Sequence, residues 1–164
     1  MLTFDDALCN EARDFLDKCR TAGLKVATAE SCTGGLIGGL LTEIPGSSDV
    51  FERGFSVYSN HAKIEMLGVD KELIRAQGAV NEPVVRAMAE GAIKHSRAQL
   101  SVGVSGIAGP GSHSARPAGL VHMAAARTGK PTIHRQMNYG DIGRTEVRLA
   151  TVRDAMRLMA QLLD

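Results

Sequence analysis

Three times along this chain a short apolar segment runs into a turn of small and polar residues: Ala29–Gly35, Ser105–Gly111 and Tyr139–Arg144. In each, an extended segment ends and backbone N–H groups are left without a ladder partner. Glycine lets the main chain approach a ligand closely, and a helix amino terminus adds unpaired donors and partial positive charge. Such turns suit phosphates and oxyanions. None of the three matches a GxxxxGK[ST] phosphate loop or a GxGxxG dinucleotide fingerprint. Gly103-Val104-Ser105-Gly106-Ile107 approaches a GxSxG elbow but lacks its last glycine.

The segments between these turns alternate in period. Thr3-Phe4-Asp5-Asp6 reads as a capping box opening a helix with Leu8, Ala12, Phe15, Leu16 and Cys19 on one face, ended by Gly23. Lys25 to Ala29 reads as a strand, Leu36 to Thr42 as an apolar helix, and Phe55 to Tyr58 as a second strand. Ser59 or Asn60 caps a helix over His61 to Leu67, and Asp70 opens a short helix closed near Gly78. Asn81-Glu82-Pro83 starts a longer one with Val85, Met88, Ala89 and Ala92 inward. Leu100 to Ser105 is a buried strand. Leu120 to Ala126 and Thr132 to Met137 form a hairpin across Gly129-Lys130-Pro131. A terminal helix presents Val147, Ala150 or Thr151, Ala155, Leu158, Met159 and Leu162. Strands interleaved with helices, plus one hairpin and no linker, predict an α/β single domain over residues 1–164: a mixed β-sheet with helices packed on it.

Composition narrows the function classes. A chain that is 44% hydrophobic and 23% charged, with a formal net charge of +1, describes a globular domain. It lacks the roughly 20 continuous apolar residues of a membrane span. Its amino terminus has no basic and apolar signal pattern, so the mature protein is expected to be the whole chain. Two tyrosines, four phenylalanines and no tryptophan argue against single-stranded nucleic acid, which needs aromatic faces in a basic groove. The last third is basic, with seven bases against four acids over 127–164, which suits a small anionic ligand. Within it, Arg148, Arg153 and Arg157 read as the solvated face of the terminal helix. Cys9, Cys19 and Cys32 form no CxxC pair and read as reduced thiols of a cytoplasmic protein. The five histidines show no HxxxH or HExxH spacing, so no metal site is expected.

Chemistry concentrates at the first turn. Ser31 stands at a helix start, where it serves either as a nucleophile beside oxyanion-binding N–H groups or simply as an N-cap. Cys32 is a rival nucleophile, its thiolate favoured by the helix terminus, or a small residue packed behind the turn. Lys63 follows Tyr58 by five residues, in the first turn of a helix after a strand end, so both lie near one strand terminus. A lysine acts as a base only when burial or nearby positive charge lowers its pKa by several units; otherwise it is a solvated helix lysine.

The stretches Thr28-Ala29-Glu30-Ser31-Cys32-Thr33-Gly34-Gly35, Pro45-Gly46-Ser47-Ser48, Phe51-Glu52-Arg53-Gly54-Phe55, Tyr58-Ser59-Asn60, Ala62-Lys63, Gly78-Ala79-Val80, Glu82-Pro83-Val84 and Ser105-Gly106-Ile107-Ala108-Gly109-Pro110 run in order along the chain. Together they make it resemble the CinA carboxy-terminal domain family, the nicotinamide-nucleotide amidohydrolases. The resemblance implies hydrolysis of the carboxamide of nicotinamide mononucleotide to nicotinic acid mononucleotide and ammonia, with no cofactor and no metal. It implies Ser31 as nucleophile, Lys63 as base, and Tyr58 assisting Lys63 by hydrogen bonding or proton relay. Thr33, Gly34 and Gly35 would supply oxyanion donors, and Ser105, Gly106, the glycine-rich loop after them and Arg144 would hold the 5′-phosphate. The family's contiguous Gly-Asp-Arg is here Gly140-Asp141-Ile142-Gly143-Arg144, two residues longer. The resemblance also implies a homodimer or larger homo-oligomer.

Two other functions remain open on the sequence. One is a non-catalytic regulatory module that binds a phosphorylated nucleotide, for which the glycine turns serve equally well. The other is a thiol-dependent redox protein using Cys32.

Overall fold

The apolar stripe Leu8, Ala12, Phe15, Leu16 and Cys19 is buried along one face of α1 (Asp6–Thr21) in the computed structural model, which describes residues 2–113 and 115–164. Asp5, not Thr3, is its cap, accepting the Leu8 N–H at 2.7 Å; a carboxylate at this position also faces the positive helix end. Burying five such side chains contributes on the order of 1.5–3 kcal/mol for each large one, which is why a local 3.6-residue period suffices to specify this helix.

The chain then alternates through β1 (Val26–Glu30), α2 (Leu36–Glu43), β2 (Phe51–Ser56), α3 (Asn60–Leu67), α4 (Lys71–Gln77), α5 (Glu82–Lys94), β3 (Leu100–Gly106), β4 (Leu120–Arg127), β5 (Ile133–Asn138) and α6 (Arg144–Ala160). The strands form one sheet in the order β2-β1-β3-β4-β5. β1 is parallel to both β2 and β3, whereas β3–β4 and β4–β5 are antiparallel. The mixed α/β sheet and the carboxy-terminal hairpin are as expected. The second strand begins at Phe51, four residues before the alternating stretch the sequence suggested. Glu52, Arg53 and Gly54 mark it poorly because an edge strand is half exposed.

Two cores sandwich the sheet. One packs α1, α2 and α6 on Val26, Leu100, Val102, Val104, Val121 and Met123. The other packs α3, α4 and α5 on Ala27, Ala29, Ala124 and Ala126. The terminal helix buries Val147, Thr151, Ala155, Leu158 and Met159 as expected, with Val152 and Met156 added; Ala150 is only half-buried. Gly103 is where β3 presses on α5, and a Cβ there would lie 2.7 Å from the Val85 carbonyl.

The connections from β1 to α2 and from β2 to α3 lead to helices on opposite faces of the sheet. Ligands of open α/β sheets bind at such a switch point, outside the carboxyl ends of the parallel strands. Here that edge gathers Ser31, Tyr58 and Ser105. Among the described residues, no helix is long and apolar enough to cross a membrane.

Candidate active site

The ladder does not stop at the end of β1. Ser31 N–H donates to Val104 O at 3.1 Å, and Val57 N–H donates to Glu30 O at 2.8 Å, so the first turn is pinned to both neighbouring strands. This draws Ser31 and the Val57-Tyr58 main chain together. Ser59 then caps α3, its hydroxyl accepting from Ala62 N–H at 3.0 Å, and the first helical turn swings Lys63 back beneath the strand ends.

Lys63 is 1% exposed. Its Nζ lies 3.0 Å from Ser31 Oγ, 2.9 Å from Val57 O and 3.1 Å from Tyr58 O. Burial lowers its pKa from 10.5 to about 8, the lost hydration outweighing the opposing influence of Cys32. A neutral amine has two N–H donors and one lone pair. Two carbonyls take the donors, which leaves the lone pair facing the Ser31 hydroxyl. The solvated-lysine alternative is therefore set aside, and Ser31 is not a helix cap: α2 is preceded by Gly35 with no side-chain cap.

Tyr58 contributes through its backbone. Its carbonyl meets Lys63, while its phenol is 66% exposed and accepts from Arg144 Nη2 at 3.3 Å. The hydrogen-bonding role expected of Tyr58 thus falls to the main chain, and its hydroxyl stands away from the Lys63–Ser31 pair.

A cavity of about 450 Å³ opens over this pair. That is within the usual ~300–1,000 Å³ of small-molecule sites. Its wall includes Ser31, Cys32, Tyr58, Lys63, Ser105, Gly106 and Arg144, with the loop from Ile107 to His113 closing one side. Arg144, the first residue of α6, reaches the cavity despite the two-residue lengthening before it, and its Nη1 donates to Gly109 O at 2.8 Å. Tyr139 does not join it; its hydroxyl donates to Asp154 at 2.6 Å, on the body of α6. Among the described residues of the wall, Tyr58 is the only phenylalanine, tyrosine or tryptophan.

Thr33, Gly34 and Gly35 do not line the cavity, contrary to expectation. The buried Glu30 carboxylate already occupies that helix terminus. It accepts from Thr33 Oγ1 at 2.7 Å, Ile37 N–H at 2.8 Å, Gly38 N–H at 3.0 Å and Thr28 Oγ1 at 3.1 Å. Gly34 N–H turns back to Ser31 O at 3.1 Å. The signal for this was an acidic residue closing an otherwise small strand, just before the turn that leads into a helix.

Arg148 also departs from its reading. It is half-buried and donates to the carbonyls of Cys32 and Thr33 at 3.0 and 3.1 Å. Arg153 and Arg157 pair with Asp5 and Glu11, tying α6 to α1. Burial pushes the Cys32 thiol up to about 12, outweighing its own backbone N–H and the Arg148 and Lys63 charges, and removes the thiolate that a redox reading requires. Among the described residues, no three His, Cys, Asp or Glu side chains converge as metal ligands.

Comparison with known proteins agrees with this architecture. The profile of the CinA C-terminal domain matches residues 10–163. A CinA-like protein of Akkermansia muciniphila is 53% identical over 117 residues, 71% of this chain and 28% of that protein. The chain spans between a quarter and two fifths of the length of this and similar CinA-like relatives. The nicotinamide-nucleotide amidohydrolase PncC of Escherichia coli K12 is 46% identical over 143 residues, 86% of this chain and 80% of that protein. The crystal structure of the competence/damage inducible protein CihA from Agrobacterium tumefaciens superposes with a TM-score of 0.95 at 50% identity, covering 100% of both chains.

Proposed function

Because the chain belongs to the CinA C-terminal domain family, we propose that it hydrolyses the carboxamide of nicotinamide mononucleotide to nicotinic acid mononucleotide and ammonia. The observation that carries this reading is the buried Lys63 amine, 3.0 Å from Ser31 Oγ and with a pKa lowered to about 8. A serine and a near-neutral lysine are a nucleophile and its base. The named activity of the Escherichia coli relative supports the substrate class.

In the proposed reaction, Ser31 Oγ bonds to the amide carbon while its proton passes to Lys63 Nζ and the carbonyl electrons move onto oxygen. The Cys32 N–H, on the peptide next to the nucleophile, is the donor assigned to the developing oxyanion. As the carbonyl reforms, the C–N bond breaks and Lys63 returns the proton to the departing nitrogen, giving ammonia. Water then attacks the acyl-serine, passing a proton to Lys63, and that proton restores the Ser31 hydroxyl as the acid leaves. The quaternary pyridinium withdraws electrons from the amide carbon, so Ser31 and Lys63 carry each step and no metal is invoked. Arg144 and the loop N–H groups beside Gly109 meet the 5′-phosphate, the guanidinium supplying a two-point contact.

A coupled ammonia assay with nicotinamide, its riboside and its mononucleotide tests this. The mononucleotide is expected to be preferred, and Ser31→Ala is expected to bind it without turnover. Full activity in Ser31→Ala overturns the nucleophile assignment. Saturable binding by the unaltered protein with no ammonia supports instead a non-catalytic nucleotide-binding module.

A further inference from the structure

We propose that Arg148 is a positioning residue for the Ser31 nucleophile, acting through the peptide planes of the turn; this rests on the serine reading above. Each planar trans peptide carries the C=O of one residue and the N–H of the next in opposite directions, so holding one end aims the other. Arg148 Nε and Nη2 hold the carbonyls of Cys32 and Thr33, the latter shared with the Leu36 N–H at 3.2 Å. The second of these planes carries the Gly34 N–H, which is thereby aimed back at Ser31 O, 3.1 Å away. The plane of Ser31 C=O carries the Cys32 N–H, the donor assigned to the oxyanion. One guanidinium thus orients three consecutive planes, from 31 to 34.

Glu30 holds the same turn from its other end, on the N–H groups of Ile37 and Gly38. The turn is therefore gripped by a carboxylate on its donors and a guanidinium on its acceptors. Gly34 has φ +61°, a left-handed conformation favoured by glycine, and a Cβ there would sit 3.5 Å from Arg148 Nη2. Arg148 follows Arg144 by one helical turn, so a single face of α6 serves both the cavity wall and the back of the nucleophile turn. Arginine is required because its rigid fork spans two carbonyls, whereas a lysine ammonium is a single point.

The test compares Arg148→Ala and Arg148→Lys with the unaltered protein and Ser31→Ala, reading kcat and KM for the mononucleotide. Labelling of Ser31 by a fluorophosphonate is followed in parallel by intact mass. Arg148→Ala is expected to lose about 100-fold in kcat, the scale of a small misplacement of reacting groups. KM should stay within about 3-fold, Ser31 labelling should slow in parallel, and added guanidinium should restore part of the rate. Arg148→Lys should lie between, and it decides the matter if the alanine variant does not fold. Unchanged kcat and labelling in a folded variant, with Ser31→Ala inactive, overturn the role of Arg148 alone. A rate loss that tracks only the unfolded fraction, with no guanidinium rescue, also overturns it. Activity persisting in Ser31→Ala overturns the serine reading itself and, with it, the positioning role that rests on it.

Discussion

Replacing Lys63 by methionine keeps the buried volume and removes the amine, and the structure sets the size of the effect. With a pKa of about 8, roughly one-tenth of the lysine is neutral at pH 7, against about 1 in 3,000 at its ordinary 10.5. Burial therefore supplies about 300 times more base at pH 7. Loss of a positioned general base typically costs about 100- to 10,000-fold, so Lys63→Met is expected to fall at least 100-fold in kcat. Ammonia release measured from pH 6 to 10 should rise for the unaltered protein to a midpoint near 8 and then level. The residual activity of the variant should lack that midpoint. Stability follows a related sign. Between about 8 and 10.5 the unfolded chain keeps a proton that the folded one has lost, so stability contributed at this site rises with pH across that window. Below it, the folded state bears a cost on the order of 3 kcal/mol for the buried ammonium, which methionine removes. Methionine also leaves the Val57 and Tyr58 carbonyls without their donor, at about 1–3 kcal/mol each, so the two effects nearly offset at pH 7. Denaturant unfolding at pH 7 should accordingly find the variant close to the unaltered protein, and the latter should gain on it toward pH 10. A variant keeping more than a tenth of kcat, or a wild-type rate still climbing steeply above pH 9.5, would refute the assignment of Lys63 as base.

Further outcomes follow from other contacts. Arg144→Ala should raise KM for the mononucleotide about 10- to 100-fold, from the ~1.5–3 kcal/mol of a charge-assisted hydrogen bond, while leaving KM for the riboside unchanged. Equal effects on both substrates would remove Arg144 from the phosphate. Glu30→Gln places an amide nitrogen against N–H donors that now meet a carboxylate, and it should cost about 2–3 kcal/mol in urea unfolding. Gly103→Ala drives a Cβ to 2.7 Å from Val85 O and 2.8 Å from Ala89 N, with an expected loss of about 1–3 kcal/mol as β3 and α5 are forced apart. A thermal midpoint unchanged by that substitution would mean the sheet and helix have slack that the geometry denies.

The sequence by itself determined what repeats locally. The α1 stripe, the caps at Asp70 and Asn81, the α5 face and the hairpin after Leu120 all follow from period, cap chemistry and turn residues within a few positions of one another. Ser31 and Lys63 were legible as candidates and sharpened by the family's residue pattern, Ser105 and Arg144 took their expected role from that pattern, and all four line one cavity. The tertiary structure decided the direction in which each group points. Residue identity distinguishes neither the phenol of Tyr58 from its carbonyl nor an arginine in solvent from one reaching back more than a hundred residues to Cys32 and Thr33. The same limit hid Glu30, whose partners lie seven and eight residues on and converge only when α2 docks on β1. The chemistry of Lys63 is likewise a product of packing: the sheet edge and α3 close around its amine, and the lost hydration, not the residue type, makes it a base.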